Sequence, residues 1–398
     1  MSEKRGKSVE TIVDLGTNDA ARRPFDNGQS GTRHGSPERE GPLSIAQVAP
    51  LYEAVPPKLY GGTERVVSYL TEELVSEGHD VTLFASGDSE TRARLIAVCP
   101  RSLRLDECGD PLAHHILMLE RVMSESRRFD VIHFHCDYIH FPLSRRLPTP
   151  TLTTLHGRLD LPDLVPVYRE YSDMPLVSIS DAQRAPVSWA NWLTTIPHGL
   201  PRGFGTPRSR PGTYLAFLGR ISPEKRVDRA IEIAQRAGME IRIAAKVDAA
   251  DRLYFDEVIR PLLGAPGIEF LGELAEHEKV PFLSDAYALL FPIDWPEPFG
   301  LVMIEAMACG TPVIAYRRGS VPEVIEDGVT GFIVESIDEA VTAVERIRDL
   351  SRATCRGVFE KRFTSRRMAE DYVGAYRSLI RPAALRGGRH SALSGRAV

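Results

Sequence analysis

Two glutamates, Glu297 and Glu305, bracket seven residues inside the run DWPEPFGLVMIEAMACG, from Asp294 to Gly310. Pro296 and Pro298 hold the first in an extended turn, while Gly300 to Ala308 read as an apolar helix that Gly310 and Pro312 end. On a helical rise their separation amounts to roughly 12 Å, whereas the carboxylate pair of a glycosidase needs about 5 to 9.5 Å. The two acids are therefore expected to touch different parts of one long ligand. Between them lie the amides of Phe299, Gly300, Leu301 and Val302, an anion site at the positive end of the helix dipole. Hydroxyls at both ends and phosphate in the middle describe a sugar nucleotide.

A second constellation is GRISPEK, Gly219 to Lys225. A strand YLAFLG ending at Gly219, Ser222 as N-cap and Pro223 at the first helical position would bring Arg220 and Lys225 out at the cleft end of a sheet. Cations at a helix start oppose its dipole, so a bound diphosphate is the expected partner for both. Tyr60-Gly61-Gly62-Thr63-Glu64 reads as a glycine turn opening a helix, with Thr63 able to cap it. It lacks the dinucleotide fingerprint, which argues against a nicotinamide-dependent dehydrogenase. His156 follows the strand TLTTL and precedes Gly157, at a strand's carboxyl end. His133 and His135 share one strand face but lack a third ligand at convincing spacing. No Asp-x-Asp motif occurs, so no metal and no cofactor are expected.

With GTPVIA (Gly310 to Ala315), GSVPEVIEDG (Gly319 to Gly328) and TGF (Thr330 to Phe332), these segments resemble the donor-site signature of the family-4 retaining glycosyltransferases, the group 1 glycosyl transferases. Matching pieces recur from about Ala46 to Phe363. The resemblance implies an α/β fold of GT-B architecture, two Rossmann-like domains with parallel sheets facing a central cleft. It implies a hexose moved from a nucleoside diphosphate sugar to a hydroxyl acceptor, with retention by same-face attack. Glu305 would hold the ribose, the Phe299 to Val302 amides the sugar and phosphate, and Arg220 with Lys225 the diphosphate. Glu297 would bind sugar hydroxyls and stabilise an oxocarbenium-like transition state, and His156 would contact the sugar near its reacting carbon. The Gly61-Gly62 loop would lie over the donor phosphates and the acceptor. One departure stands out: Ile196-Pro197-His198-Gly199-Leu200 occupies the place where the family commonly carries Asn-Gly-Val-Asp, so the donor-side contact of that amide is open.

A chain of 398 residues exceeds the size of one core, so two domains are the default. Residues 1–41, with seven basic and seven acidic side chains and few large apolar ones, read as a disordered tail. An acceptor domain is expected over 42–200, a linker over 201–211, a donor domain over 212–364, and a terminal helix over 365–381 that crosses back to the first domain. Residues 382–398 read as a second tail. Apolar content of 43%, charged content of 26% and a net charge of −5 fit a soluble protein with no nucleic-acid partner. The five cysteines show no metal spacing and no apolar stretch reaches membrane length, so a cytoplasmic location is expected. The stretch His114 to Arg128 reads as an ordinary surface helix, and peripheral membrane contact is not expected. A sugar phosphorylase of the same fold and a non-catalytic nucleotide-sugar-binding protein are the alternatives.

Overall fold

A computed structural model describes residues 41–59, 61–105, 108–208 and 210–380. The two expected tails lie outside the described residues, apart from Gly41. The first sheet contains β1 (Ser44–Val48), β2 (Asp80–Ala85), β3 (Arg94–Ala97), β4 (Val131–Phe134), β5 (Thr151–Thr154), β6 (Leu176–Ser178) and β7 (Trp192–Thr195). The second contains β8 (Tyr214–Arg220), β9 (Glu240–Lys246), β10 (Ile268–Gly272), β11 (Ala286–Phe291), β12 (Val313–Tyr316) and β13 (Gly331–Val334). Strand order is β3-β2-β1-β4-β5-β6-β7 in one and β10-β9-β8-β11-β12-β13 in the other, and the strand pairs run parallel. Both orders reverse direction beside their first strand, at β1/β4 and β8/β11, where a doubly wound sheet opens a crevice at its strands' carboxyl ends.

The reason these segments are strands is visible in β8. Tyr214 and Ala216 pack into one apolar layer with Met303, Ile304 and Met307, and Leu215 and Phe217 into the opposite layer with Ile231 and Val344. A strand buried on both faces reads as a continuous apolar run, as YLAFLG does.

The chain crosses between the sheets twice, and the crossings are bonded to each other. Leu200 N–H donates to Phe363 O at 2.9 Å, and Ser365 N–H to Leu200 O at 2.7 Å. A Cβ on Gly199 would come within 2.3 Å of Thr364 O, so only glycine fits this approach. The terminal helix Ser365–Ile380 then buries Met368, Ala369, Tyr372 and Tyr376 among Leu43, Ile45, Val66 and Leu70 of the first sheet and its first helix, Gly62–Ser76.

Several local expectations shift. The segment after Ser222 is a single 3₁₀ turn, Pro223–Lys225, and the α-helix begins only at Val227, because Arg226 takes a left-handed conformation at φ 55°. Neither Ser222 nor Thr63 caps a helix through its side chain. The surface helix spans Pro111–Glu125 and is capped by Asp110, whose carboxylate accepts from Leu112 and Ala113 N–H. Among the described residues no helix is long and apolar enough to cross a membrane.

Candidate active site

A cleft of about 670 Å³ opens between the two switch points. Its lining contains every predicted site residue: Glu297, His156, Arg220, Lys225, Gly61, Gly62, Phe299, Gly300, Leu301, Val302 and Glu305. The volume lies in the range of small-molecule sites.

The donor-side turn is assembled from backbone constraints. Gly300 sits at φ 79° before the helix Leu301–Ala308, and a Cβ there would strike Met303 Cε at 2.8 Å. Glu297 therefore lies before the helix, so the axial rise does not measure its distance from Glu305. Gly319 presses on the Glu297 backbone so closely that a Cβ would meet Glu297 O at 2.3 Å. Ser320 N–H donates to Glu297 O at 3.0 Å and its hydroxyl to Phe299 O at 2.8 Å. The first domain adds Ser180 Oγ, donating to Pro298 O at 2.6 Å. Two separate segments thus fix one turn. Leu301 and Val302 present N–H groups at the helix start, whereas Met303 N–H donates to Gly300 O at 3.0 Å.

The two cations are not bare. Lys225 Nζ pairs with Glu297 Oε2, and Trp295 Nε1–H donates to the same oxygen at 2.9 Å. The ammonium also lies 4.9 Å from the Trp295 ring centre. Arg220 donates to Glu224 Oε1 at 2.7 Å, with Asp251 and Asp248 at 3.6 and 3.8 Å. Burial opposes ionisation of Glu224, but hydrogen bonds from its own backbone N–H, Ser222 and Arg220 hold it below the usual carboxylate range. The expectation that a diphosphate alone accounts for these cations is corrected: carboxylates of the protein already pair them. Glu305 is 5% exposed, and Lys279 feels its charge, although burial dominates and lowers the Lys279 ammonium.

His156 is the half-buried end of a row of otherwise buried histidines. Gln47 Oε1, an acceptor, fixes the proton of His135 on Nε2 at 2.8 Å, and His135 Nδ1 then accepts from His156 Nε2 at 2.9 Å. The other amide end of Gln47 donates to Tyr376 Oη at 3.0 Å, which reaches His133 Nδ1 at 2.8 Å. His133 Nε2 shares a hydrogen bond with Thr154 Oγ1 at 2.8 Å. Burial lowers all of these imidazoles, His156 to about 3, so they are neutral near pH 7. His156 Nε2 is committed to His135, which leaves no role for it as a proton shuttle through that nitrogen. His198 stacks on His156 at 5.3 Å and 17° and meets Phe299 edge-on at 4.9 Å.

The glycine loop serves packing as much as access. A Cβ on Gly61 would fall 2.7 Å from Pro57 Cβ, while one on Gly62 would sit at an ordinary 3.7 Å from Leu301 Cδ1. Residues 206–361 match the family model of the group 1 glycosyl transferases, and residues 60–195 that of glycosyltransferase family 4. The chain belongs to the family-4 glycosyltransferases of group 1. Family members with similar sequences include a D-inositol 3-phosphate glycosyltransferase of Mycolicibacterium smegmatis, 29% identical over 48% of this chain and 46% of its own length. An alpha-maltose-1-phosphate synthase of the same species is 28% identical over 44% of this chain and 50% of its own length. The matches thus span about half the length of these two relatives. A D-inositol 3-phosphate glycosyltransferase of Arthrobacter is 25% identical over 69% and 78%. Among solved structures, a sucrose-phosphate synthase of Thermosynechococcus elongatus superposes with TM-score 0.70 at 19% identity, over 85% of this chain and 99% of its own. Anabaena HepE in complex with UDP-glucose gives 0.65 at 17%, over 85% and 100%. These likenesses establish the GT-B fold.

Trp295, Glu224 and Gln47 escaped the sequence reading of the site. Trp295 was within reach, because an indole beside Glu297 in a proline-framed turn is a candidate donor to that carboxylate. Gln47 and Tyr376 are 329 positions apart and gave no local signal. Among the described residues no three His, Cys, Asp or Glu side chains form a metal-binding group.

Proposed function

We propose that the protein is a retaining, metal-independent glycosyltransferase that moves a hexose from a nucleoside diphosphate sugar to a hydroxyl acceptor. The observation that carries the reading is the convergence, in one cleft, of the Leu301 and Val302 amides with Glu297, Glu305, Arg220 and Lys225. Helix amides and the Arg220 guanidinium suit a diphosphate. Glu305, four residues into the helix that those amides open, takes the ribose hydroxyls. Glu297 takes sugar hydroxyls and faces the positive charge that grows at the anomeric carbon. Its partner Lys225 lines the same cleft and adds its charge to the diphosphate. His156 offers the sugar a neutral imidazole.

A thermal-shift screen of nucleotide sugars tests the reading. A donor at 100 times its dissociation constant should stabilise the protein by about 2.7 kcal/mol. Turnover of the selected donor should persist in EDTA. Loss in chelator with recovery in magnesium or manganese overturns the metal-independent part, and the absence of any stabilising nucleotide sugar overturns the whole.

A further inference from the structure

Two stacked imidazoles on the cleft wall carry nitrogens that no group of the protein satisfies. His198 is 4% exposed and lines the cleft, yet among the described residues neither of its ring nitrogens has a hydrogen-bond partner, and Nδ1 is fully enclosed. On the ring stacked against it, His156 Nδ1 is enclosed and unpartnered as well. The backbone that carries His198 is held firmly. Arg367 of the terminal helix donates to Pro197 O at 2.6 Å and to His198 O at 3.2 Å, and Gly199 is pressed against Thr364. Phe299 meets the His198 ring edge-on at 4.9 Å, so the imidazole stands between His156 and the turn that leads into the donor helix.

A buried polar nitrogen without a partner is costly, and a ligand that reaches it removes that cost. With Nδ1 enclosed, Nε2 is the nitrogen that a ligand in the cleft can meet. Charge decides which part of the donor it meets. Burial, then the neighbouring His156 and the Arg367 guanidinium, hold the imidazole well below the usual histidine range, so the ring is neutral near pH 7. A neutral ring adds no charge for a diphosphate, to which Arg220 and Lys225 are assigned. A sugar hydroxyl both donates and accepts, and it therefore suits either tautomer of a neutral imidazole.

We propose that His198 is a hexose-binding residue, whose Nε2 forms a hydrogen bond with a hydroxyl of the transferred sugar and so contributes to the choice of sugar. A site built to bond a hydroxyl rejects the analogue that lacks it, because the polar group of the protein is then left unpaired. The inference rests on the transferase reading above and adds a residue to its donor site.

The test is calorimetry on wild type, His198→Leu and His198→Gln. It compares the nucleotide sugar that stabilises the protein most in the thermal-shift screen with that sugar's own nucleoside diphosphate. His198→Leu should bind the nucleotide sugar about tenfold more weakly, the scale of one hydrogen bond, and the diphosphate within about twofold of wild type. His198→Gln, whose amide reaches the position of Nε2, should regain most of the loss. Of the monodeoxy forms of the same nucleotide sugar, one should bind wild type and His198→Leu alike. Without nucleotide His198→Leu should melt no lower than wild type, because carbon replaces an unpartnered buried nitrogen. Equal weakening of the nucleotide sugar and the diphosphate would put the ring on the phosphates. Lowered melting temperatures in both variants with both affinities unchanged would make it a packing residue. Either result overturns the inference, as would equal losses of sugar affinity in the Leu and Gln variants. Failure of the wild-type protein to bind any nucleotide sugar would instead overturn the transferase reading, and this inference with it.

Discussion

The Lys225 ammonium and the Glu297 carboxylate are paired inside the cleft, although they come from different loops, one after β8 and one before the helix Leu301–Ala308. Trp295 donates to the same carboxylate oxygen and lays its ring beside the ammonium. Neither charge acts alone. The sequence reading put Lys225 at the cleft end of a sheet as a partner for a diphosphate; its side chain is 16% exposed and that of Glu297 11%, and the pair is largely buried.

Lys225→Ala leaves a largely buried carboxylate without its cation. The expected cost is about 3 kcal/mol of stability, together with loss of turnover. The double variant Lys225→Met/Glu297→Gln should melt closer to wild type than Lys225→Ala does, because no charge is stranded. Additive losses in denaturant melts of Lys225→Met, Glu297→Gln and the double variant would show that the pair is not coupled.

Arg220 behaves differently, because its side chain is 34% exposed and that of its nearest partner, Glu224, 32%. Arg220→Ala should lower donor turnover by roughly 10²- to 10³-fold, the cost of losing one donor to a developing oxyanion. Its melting temperature should barely move. Near-normal turnover would remove Arg220 from the donor site.

Glu305→Gln should weaken binding of the free nucleoside diphosphate with little change in stability, since the amide keeps the carboxylate's shape. Calorimetry is the measurement. Unchanged affinity would sink the ribose assignment.

The histidine row predicts a stability profile. His133, His135, His156 and His198 have folded-state pKa values below the unfolded value of about 6.5, His156 at about 3, so the unfolded chain binds more protons in that window. Stability from these groups is present above about pH 6.5 and is lost as pH falls toward 3. Denaturant melts at several pH values should show the decline, and His156→Gln should make it shallower. An equal slope in the variant would mean that His156 is not held neutral by burial.

Much of the fold was legible because both sheets are buried on two faces, and strands such as β8, β11 and β12 announce themselves as unbroken apolar runs. The donor turn was legible because glycine and proline fix its backbone at Pro296, Pro298 and Gly300. Pairing was not. Nothing local in GRISPEK shows that Lys225 reaches Glu297, 72 positions on, or that Gln47 meets Tyr376. The helix start after Ser222 was misplaced because Arg226 adopts a left-handed conformation that sequence rules reserve mainly for glycine. The histidines at 133 and 135 were weighed as metal ligands, yet each has both ring nitrogens in hydrogen bonds to side chains, a pattern visible only when three strands and the terminal helix are assembled.

The central claim, retaining transfer from a nucleotide sugar, is tested most directly by proton NMR of the first sugar released when water replaces the acceptor. With an α-linked nucleoside diphosphate hexose and EDTA present, the α anomer should appear first and the β anomer only later, by mutarotation. The β anomer first would contradict retention, and no release from any nucleoside diphosphate hexose would contradict the donor assignment itself.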